Sequence, residues 1–197
     1  MSVPDRSHSA DAAWTAEPAT DAVWVWAALG VAVVGLAGSL YLSLGMNLKA
    51  CPLCFYQRTF MMSLVAILSV GLVANACRPG RLAVLALPLA IAGLGVALFH
   101  VSLEVRGKLE CPGGVLGLGT APQQSLAAFV ALTALLALDT VRRVTSRVLT
   151  VSVPAVAIAL GVLLALGSCS ANPPMPGPPQ HPYSGPPDIC RPPYQNV

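Results

Sequence analysis

Two cysteines separated by two residues stand at Cys51-Pro52-Leu53-Cys54, directly before a long apolar stretch. Such a pair can bind a metal, carry haem, or cycle between dithiol and disulfide. Haem attachment needs a histidine immediately after the second cysteine, and Phe55 occupies that place. Structural zinc takes four Cys/His ligands, commonly as two closely spaced pairs. The other candidates, Cys111, Cys169, Cys190 and His181, stand singly, so no metal is assigned. A structural disulfide is the plainest alternative. A Cys-x-x-Cys ring is small and strained, however, and strained exposed disulfides are the labile or catalytic ones.

Position favours redox chemistry. Cys54 falls at the cap or first turn of a helix, where unpaired N–H groups and the positive dipole end favour a thiolate. Arg58 lies four residues on, hence on the same helix face. Its guanidinium stays charged, which at a membrane boundary is costly unless it has a use. It can hold a Cys54 thiolate or an electron-rich ring, or else snorkel to headgroups. Gln57 can bond a ring carbonyl. His100 can donate to a ring oxygen or assist proton transfer, or simply pack as a polar residue in the core. The chain has no Gly-x-Gly-x-x-Gly nucleotide motif. A lipid-soluble quinone is therefore the oxidant expected at this depth.

The elements that must position these residues are membrane helices. Of 197 residues, 55% are hydrophobic and 10% charged, and the mean hydropathy is +0.71. A soluble domain carries roughly 25% charged residues, so the fold class is an all-α integral membrane protein. A net charge of +3 without a basic cluster gives no reason to expect nucleic acid. Five apolar runs, 22–45, 55–76, 82–103, 123–141 and 148–168, approach or exceed the ~20 residues that span a bilayer. They predict a four-transmembrane-helix bundle, a fifth transmembrane helix at 144–168, and an extended Pro-rich tail at 169–197. Residues 1–21 are polar and small, and read as a disordered cytoplasmic N-terminus. Arg78, Arg81, Arg142, Arg143 and Arg147 fall in loops on one side, which the positive-inside rule makes the cytoplasmic one. Cys51, Cys54, Cys111, Cys169 and Cys190 then face the oxidising side, with Cys77 alone inside. Proline keeps the tail out of helices and sheets, yet its reach lets Cys190 contact any part of the outer face. Leu-Gly-Ser-Cys at 166–169 is similar to a lipoprotein processing site, which would lipidate Cys169.

"CPLCFYQR" at the mouth of a second transmembrane helix resembles the signature of the DsbB family of membrane thiol:quinone oxidoreductases. "ECPGGVLGLGTAPQQSLAAF" (110–129) is similar to that family's second outer loop, through Cys111, Leu116, Gly117, Leu118, Pro122 and Gln123. The resemblance covers about 22–143. It implies a multi-pass protein of the bacterial inner membrane with its redox loops periplasmic. It further implies that a DsbA-type, thioredoxin-fold dithiol protein is the electron donor. Ubiquinone or menaquinone would be the acceptor. Cys54 would face the quinone with Arg58 stabilising the reduced form, and Cys51 would exchange with the second loop at Cys111. That loop normally carries two cysteines, and residues 104–124 hold only Cys111. Cys190 is expected to supply the missing thiol by pairing with Cys111; the alternative is a Cys169–Cys190 link local to the tail. Two other readings stand beside the enzyme. One is a non-catalytic membrane scaffold with structural disulfides. The other is a vitamin K epoxide reductase-like thiol oxidoreductase, although those enzymes place their active pair later in the chain.

Overall fold

Among the described residues five long helices, each rich in Leu and Val, run up and down in sequence: α1 (Val23–Leu44), α2 (Pro52–Val73), α3 (Pro79–Val105), α4 (Ala121–Thr145) and α5 (Ser152–Ser170). The structure, a computed structural model, describes residues 22–74, 79–145, 151–173, 177, 179 and 181–194. The expectations for 1–21, Cys77, Arg78 and Arg147 fall outside the described residues. All five helices are long and apolar enough to cross a membrane. A 22-residue helix such as α1 is ~33 Å long, against a hydrocarbon core of ~30 Å.

Helix starts differ from the hydropathy pattern where capping decides them. α2 begins at Pro52, with Cys51 in extended geometry as its N-cap. Proline suits a first helical position because its missing N–H would be unpaired there anyway. This draws the motif into the helix's first turn and leaves Cys51 just outside it.

α3 is the central element, in contact with α2, α4 and α5, while α1 packs on α2 and α4. The core between them is built from Leu64, Leu68, Leu82, Phe129, Leu132 and Leu136, with alanines where helices approach closely. Gly93 lets the Phe129 ring lie directly against α3. α5 buries only Ala157, Gly161 and Ala165, one stripe at i, i+4, i+8. Gly161 seats against Ile91 and the Pro88 carbonyl, and Ala165 against Gly95. Small residues suit helix association in lipid, where apolar side chains gain nothing by leaving the tails. The rest of α5 and much of α1 present exposed Val, Leu and Ile, as a lipid-facing surface requires.

Arg143, counted above as a loop charge, is buried in α4. Its Nε donates to Asp139 Oδ2 at 2.9 Å. Arg142 covers the Trp24 ring at 4.7 Å. The alternating course of the helices brings Cys51, Cys54, His100, Cys111 and Cys169 to the opposite end.

Candidate active site

The helical N-terminus sets the first contact. Cys51 Sγ accepts the Cys54 backbone N–H at 3.2 Å, and the two sulfurs lie 2.8 Å apart. A disulfide of ~2.05 Å is less than an ångström of movement away. The end of α2 therefore directs its free donor at Cys51 rather than at Cys54. The Cys51 thiol is held down at about 5, first by its hydrogen bond with Cys54, with His100 adding to the effect against the cost of burial.

α3 brings His100 under the pair. This fully buried ring sets Nε2 3.8 Å from Cys51 Sγ and 3.6 Å from Cys111 Sγ. Its Nδ1 lies 3.3 Å from Gln57 Nε2. The histidine thus faces sulfur on two sides, with an amide fixing the far edge of its ring.

Cys111 is disulfide-bonded to Cys190. Of the two pairings left open by the sequence, this is the one the structure contains. The described end of the tail, Asp188 to Arg191, lies back across the mouth of the bundle. Lys49 N–H donates to the Asp188 carbonyl at 2.8 Å, and the Lys49 ammonium pairs with the Asp188 carboxylate at 2.9 Å. Glu110 and Arg191 exchange both backbone hydrogen bonds, at 2.8 and 3.0 Å. Arg191 also lies 3.6 Å over the Tyr183 ring and donates to the Gly185 carbonyl. Cys190 is thereby pinned on both flanks, to residue 49 beside the first cysteine pair and to residue 110 beside Cys111. Cys190 Sγ, Cys51 Sγ, Cys54 Sγ and a His100 ring nitrogen all lie within 4.8 Å of one another.

The loop bearing Cys111 is braced from α4. Gln124 accepts from Val115 N–H and donates to the Val115 and Leu118 carbonyls, all at 2.8–2.9 Å. Thr120 donates to Glu104 at 3.0 Å. Gly117 and Gly119 take positive φ in the intervening turns, backbone that only glycine adopts without strain.

Beside Cys54 opens a cavity of about 670 Å³ between α1, α2 and α4. Its walls are apolar, among them Val31, Val34, Met61, Ala128 and Phe129, and Cys54, Gln57 and Arg58 lie at its polar end. Arg58 reaches α1: its Nε donates to Ser39 Oγ at 3.0 Å, and one terminal nitrogen donates to the Ser39 carbonyl and to Ser43 Oγ at 2.9 and 2.6 Å. The guanidinium is a fixed part of the wall and does not snorkel.

The profile of the family described as "Disulfide bond formation protein DsbB" matches residues 20–171. The chain belongs to the DsbB family. It is 34% identical over 117 residues to the "Probable disulfide formation protein" of Chlamydia trachomatis serovar D, covering 54% of this chain and 84% of that one. It is 31% identical over 93 residues to the "Probable disulfide formation protein C 1" of Bacillus cereus, covering 47% and 65%. With the "Disulfide bond formation protein B 2" of Burkholderia lata it shares 35% over 89 residues, covering 45% and 52%. No solved structure matches the chain significantly. Membership of this family, together with five membrane-length helices, makes the chain a multi-pass bacterial membrane oxidoreductase of disulfide formation.

Among the residues singled out from the sequence, Cys51, Cys54, Cys111, Cys190, His100 and Gln57 come together. Arg58 and Gln57 line the cavity with Cys54, whereas His100 is turned to the sulfurs and does not line it. Ser39, Ser43 and Gln124 were not singled out. Two serines four residues apart in an otherwise apolar span are the signal that points to a buried polar partner. The premise against a metal, that its partners stand singly, holds along the chain but not in space.

Proposed function

We propose that this DsbB-family protein reoxidises a periplasmic, thioredoxin-fold dithiol protein of the DsbA type and passes the electrons to ubiquinone or menaquinone. The observation that carries the reading is the apolar cavity ending in Cys54, Gln57 and Arg58. An amphipathic ring on an apolar chain fits that donor set: a fixed cation and an amide at one end, hydrocarbon along the rest. A bound quinone supplies a two-electron, two-proton acceptor. A DsbA-type protein is itself a strong oxidant, near about −120 mV, so only a more oxidising partner can drain it.

Electron flow uses both disulfides. A donor thiolate attacks Cys111, breaking Cys111–Cys190 and releasing the Cys190 thiolate. Cys190 then attacks Cys51; the Cys51–Cys190 bond forms and Cys54 leaves as a thiolate in the cavity wall. When the donor's second thiol completes its own disulfide, Cys111 is freed and re-forms Cys111–Cys190, returning Cys51 as a thiolate. The Cys51–Cys54 pair now holds two electrons, which leave through Cys54 as that disulfide closes. Cys190 rather than Cys111 is placed in exchange with Cys51 because its sulfur sits within 4.8 Å of both Cys51 and Cys54. His100, between Cys51 and Cys111, takes and returns protons as thiols and thiolates interchange. Arg58, held by Ser39 and Ser43, offsets negative charge at Cys54.

The test is quinone reduction by purified protein supplied with a reduced thioredoxin-fold donor, followed by ring absorbance. One quinone should be consumed per donor disulfide formed, and Cys54→Ser should abolish turnover. Full donor oxidation by Cys54→Ser would instead mark a scaffold without catalysis of its own.

A further inference from the structure

The structure holds Cys111 and Cys190 in a disulfide and Cys51 and Cys54 as free thiols, and these atoms offer another grouping once every sulfur is reduced. Cys51 Sγ, Cys54 Sγ, Cys190 Sγ and a His100 nitrogen lie within 4.8 Å of one another, from three separate parts of the chain. Tetrahedral zinc, with Zn–S bonds of ~2.3 Å, sets its sulfurs ~3.8 Å apart. With Zn–N bonds of ~2.0–2.1 Å the sulfur–nitrogen spacing is ~3.6 Å, and Cys51 Sγ and His100 Nε2 are close to it at 3.8 Å. Cys54, 2.8 Å from Cys51, needs to withdraw by only about an ångström. We propose that the fully reduced protein binds one Zn²⁺ ion through Cys51, Cys54, Cys190 and His100, and that the ion locks it in the reduced state.

Four features prepare the site. Cys190 does not depend on its disulfide for its position, because Asp188 and Arg191 are fastened to Lys49 and Glu110 by backbone hydrogen bonds on either side. Gln57 supports the imidazole from behind at Nδ1. Its amide can present either NH₂ or oxygen, and oxygen is what a zinc-bound His requires, as in other metal sites where the second ring nitrogen donates outward. Charge is also accommodated. Three thiolates and a neutral imidazole around Zn²⁺ leave one net negative charge, and Arg58 lines the same cavity as Cys54. Burial of Cys51 and His100 keeps water from competing.

Assembly needs reduction of Cys111–Cys190 and Cys51–Cys54 by a dithiol or phosphine, two electrons and two protons each. Binding then displaces whatever protons the three thiols still hold. A loaded site withholds Cys51 and Cys54 from any acceptor, so Zn²⁺ acts as a reversible inhibitor specific to the reduced enzyme. The proposal does not depend on the identity of quinone or donor, and its test contains neither.

The full chain in detergent is reduced with a phosphine and titrated with Co²⁺ under argon. One equivalent per chain should give visible bands of tetrahedral intensity with thiolate-to-metal charge transfer, displaced by Zn²⁺. Cys190→Ser and His100→Gln should each weaken binding by more than the roughly 10–100-fold that loss of an outer partner costs. Cys169→Ser should leave it unchanged, and oxidised protein should bind none. A second measurement avoids variants: bound Zn²⁺ should protect Cys51, Cys54 and Cys190 from iodoacetamide while Cys111 and Cys169 still react. Substoichiometric binding, undiminished charge transfer in Cys190→Ser, binding by His100→Gln as tight as wild type, or unprotected Cys190 would overturn the proposal.

Discussion

A thiol at a helix N-cap and a thiol three residues on meet the same dipole but not the same donors. The Cys54 N–H points back to Cys51 Sγ, so the stabilised anion is Cys51, while Cys54 occupies the cavity wall. The sequence places both cysteines at a helix start, but which one receives the amide depends on Pro52 opening the helix. With the Cys51 pKa depressed from ~8.5 to about 5, its thiolate persists as pH falls through neutrality and is lost only below about pH 5. Iodoacetamide alkylation of reduced Cys51 should therefore be nearly flat from about pH 8 to 6 and fall about tenfold per unit once well below the pKa. His100→Gln should shift the midpoint upward. Arg58 was legible as a charge where charge is expensive; its holders were not, because a serine in a membrane helix ordinarily bonds its own helix. Ser63 and Ser69 do so, whereas Ser39 and Ser43 accept from Arg58. Hydrogen bonds to charged groups are worth roughly 1.5–3 kcal/mol each. Ser39→Ala with Ser43→Ala should thus raise the KM for quinone about tenfold or more, with Cys51 alkylation unaffected. Steady-state kinetics at saturating donor would read this, and an unchanged KM would deny the serines a positioning role.

Helices α1 to α5 could be read from hydropathy because each must satisfy its own backbone bonds in lipid. Their partners could not, since nearly every face is apolar and periodicity no longer marks the inner side. α5 shows the difficulty: its buried stripe, Ala157, Gly161 and Ala165, is defined by small size, not hydrophobicity. The buried Asp139–Arg143 pair was hidden for the opposite reason. Two charges at i, i+4 near a helix end resemble an exposed pair bordering a loop, but side-chain exposures of 4% and 9% place this one inside. Removing one partner of a buried pair leaves the other charge unmatched, at about 3–5 kcal/mol. Asp139→Ala should sharply lower the thermal midpoint in detergent, while Asp139→Ala with Arg143→Met should recover much of it. Equal midpoints for the single and double variants would show that the charge itself is not the burden.

At the scale of the molecule, the tail completes a site that the helical bundle leaves one sulfur short. Proline content forecast an extended segment, and the described residues beyond α5 hold no helix or strand, but composition cannot forecast docking. That comes from Lys49 with Asp188 and Glu110 with Arg191, contacts between distant parts of the chain. An exposed ion pair adds little by itself. The paired backbone bonds therefore carry most of the docking beside the Cys111–Cys190 disulfide, which is the part that opens on the proposed route. If the tail's contribution is chemical, its removal should divide the activity along a predictable line. Cys190→Ala leaves Cys51 and Cys54 in place and takes a single sulfur from the cavity's lining, so a small dithiol such as dithiothreitol, which attacks Cys51–Cys54 directly, should still reduce quinone at near wild-type rate. On the proposed route a protein donor enters through Cys111–Cys190, so its oxidation should fall by on the order of 10²-fold or more, as when a reacting group is lost from its place. Cys111 is then a free thiol, which a reduced donor cannot attack, so no donor–Cys111 mixed disulfide should appear on a non-reducing gel. Equal loss with both reductants would mean that the tail chiefly supports the fold of the α2 mouth rather than carrying electrons across it.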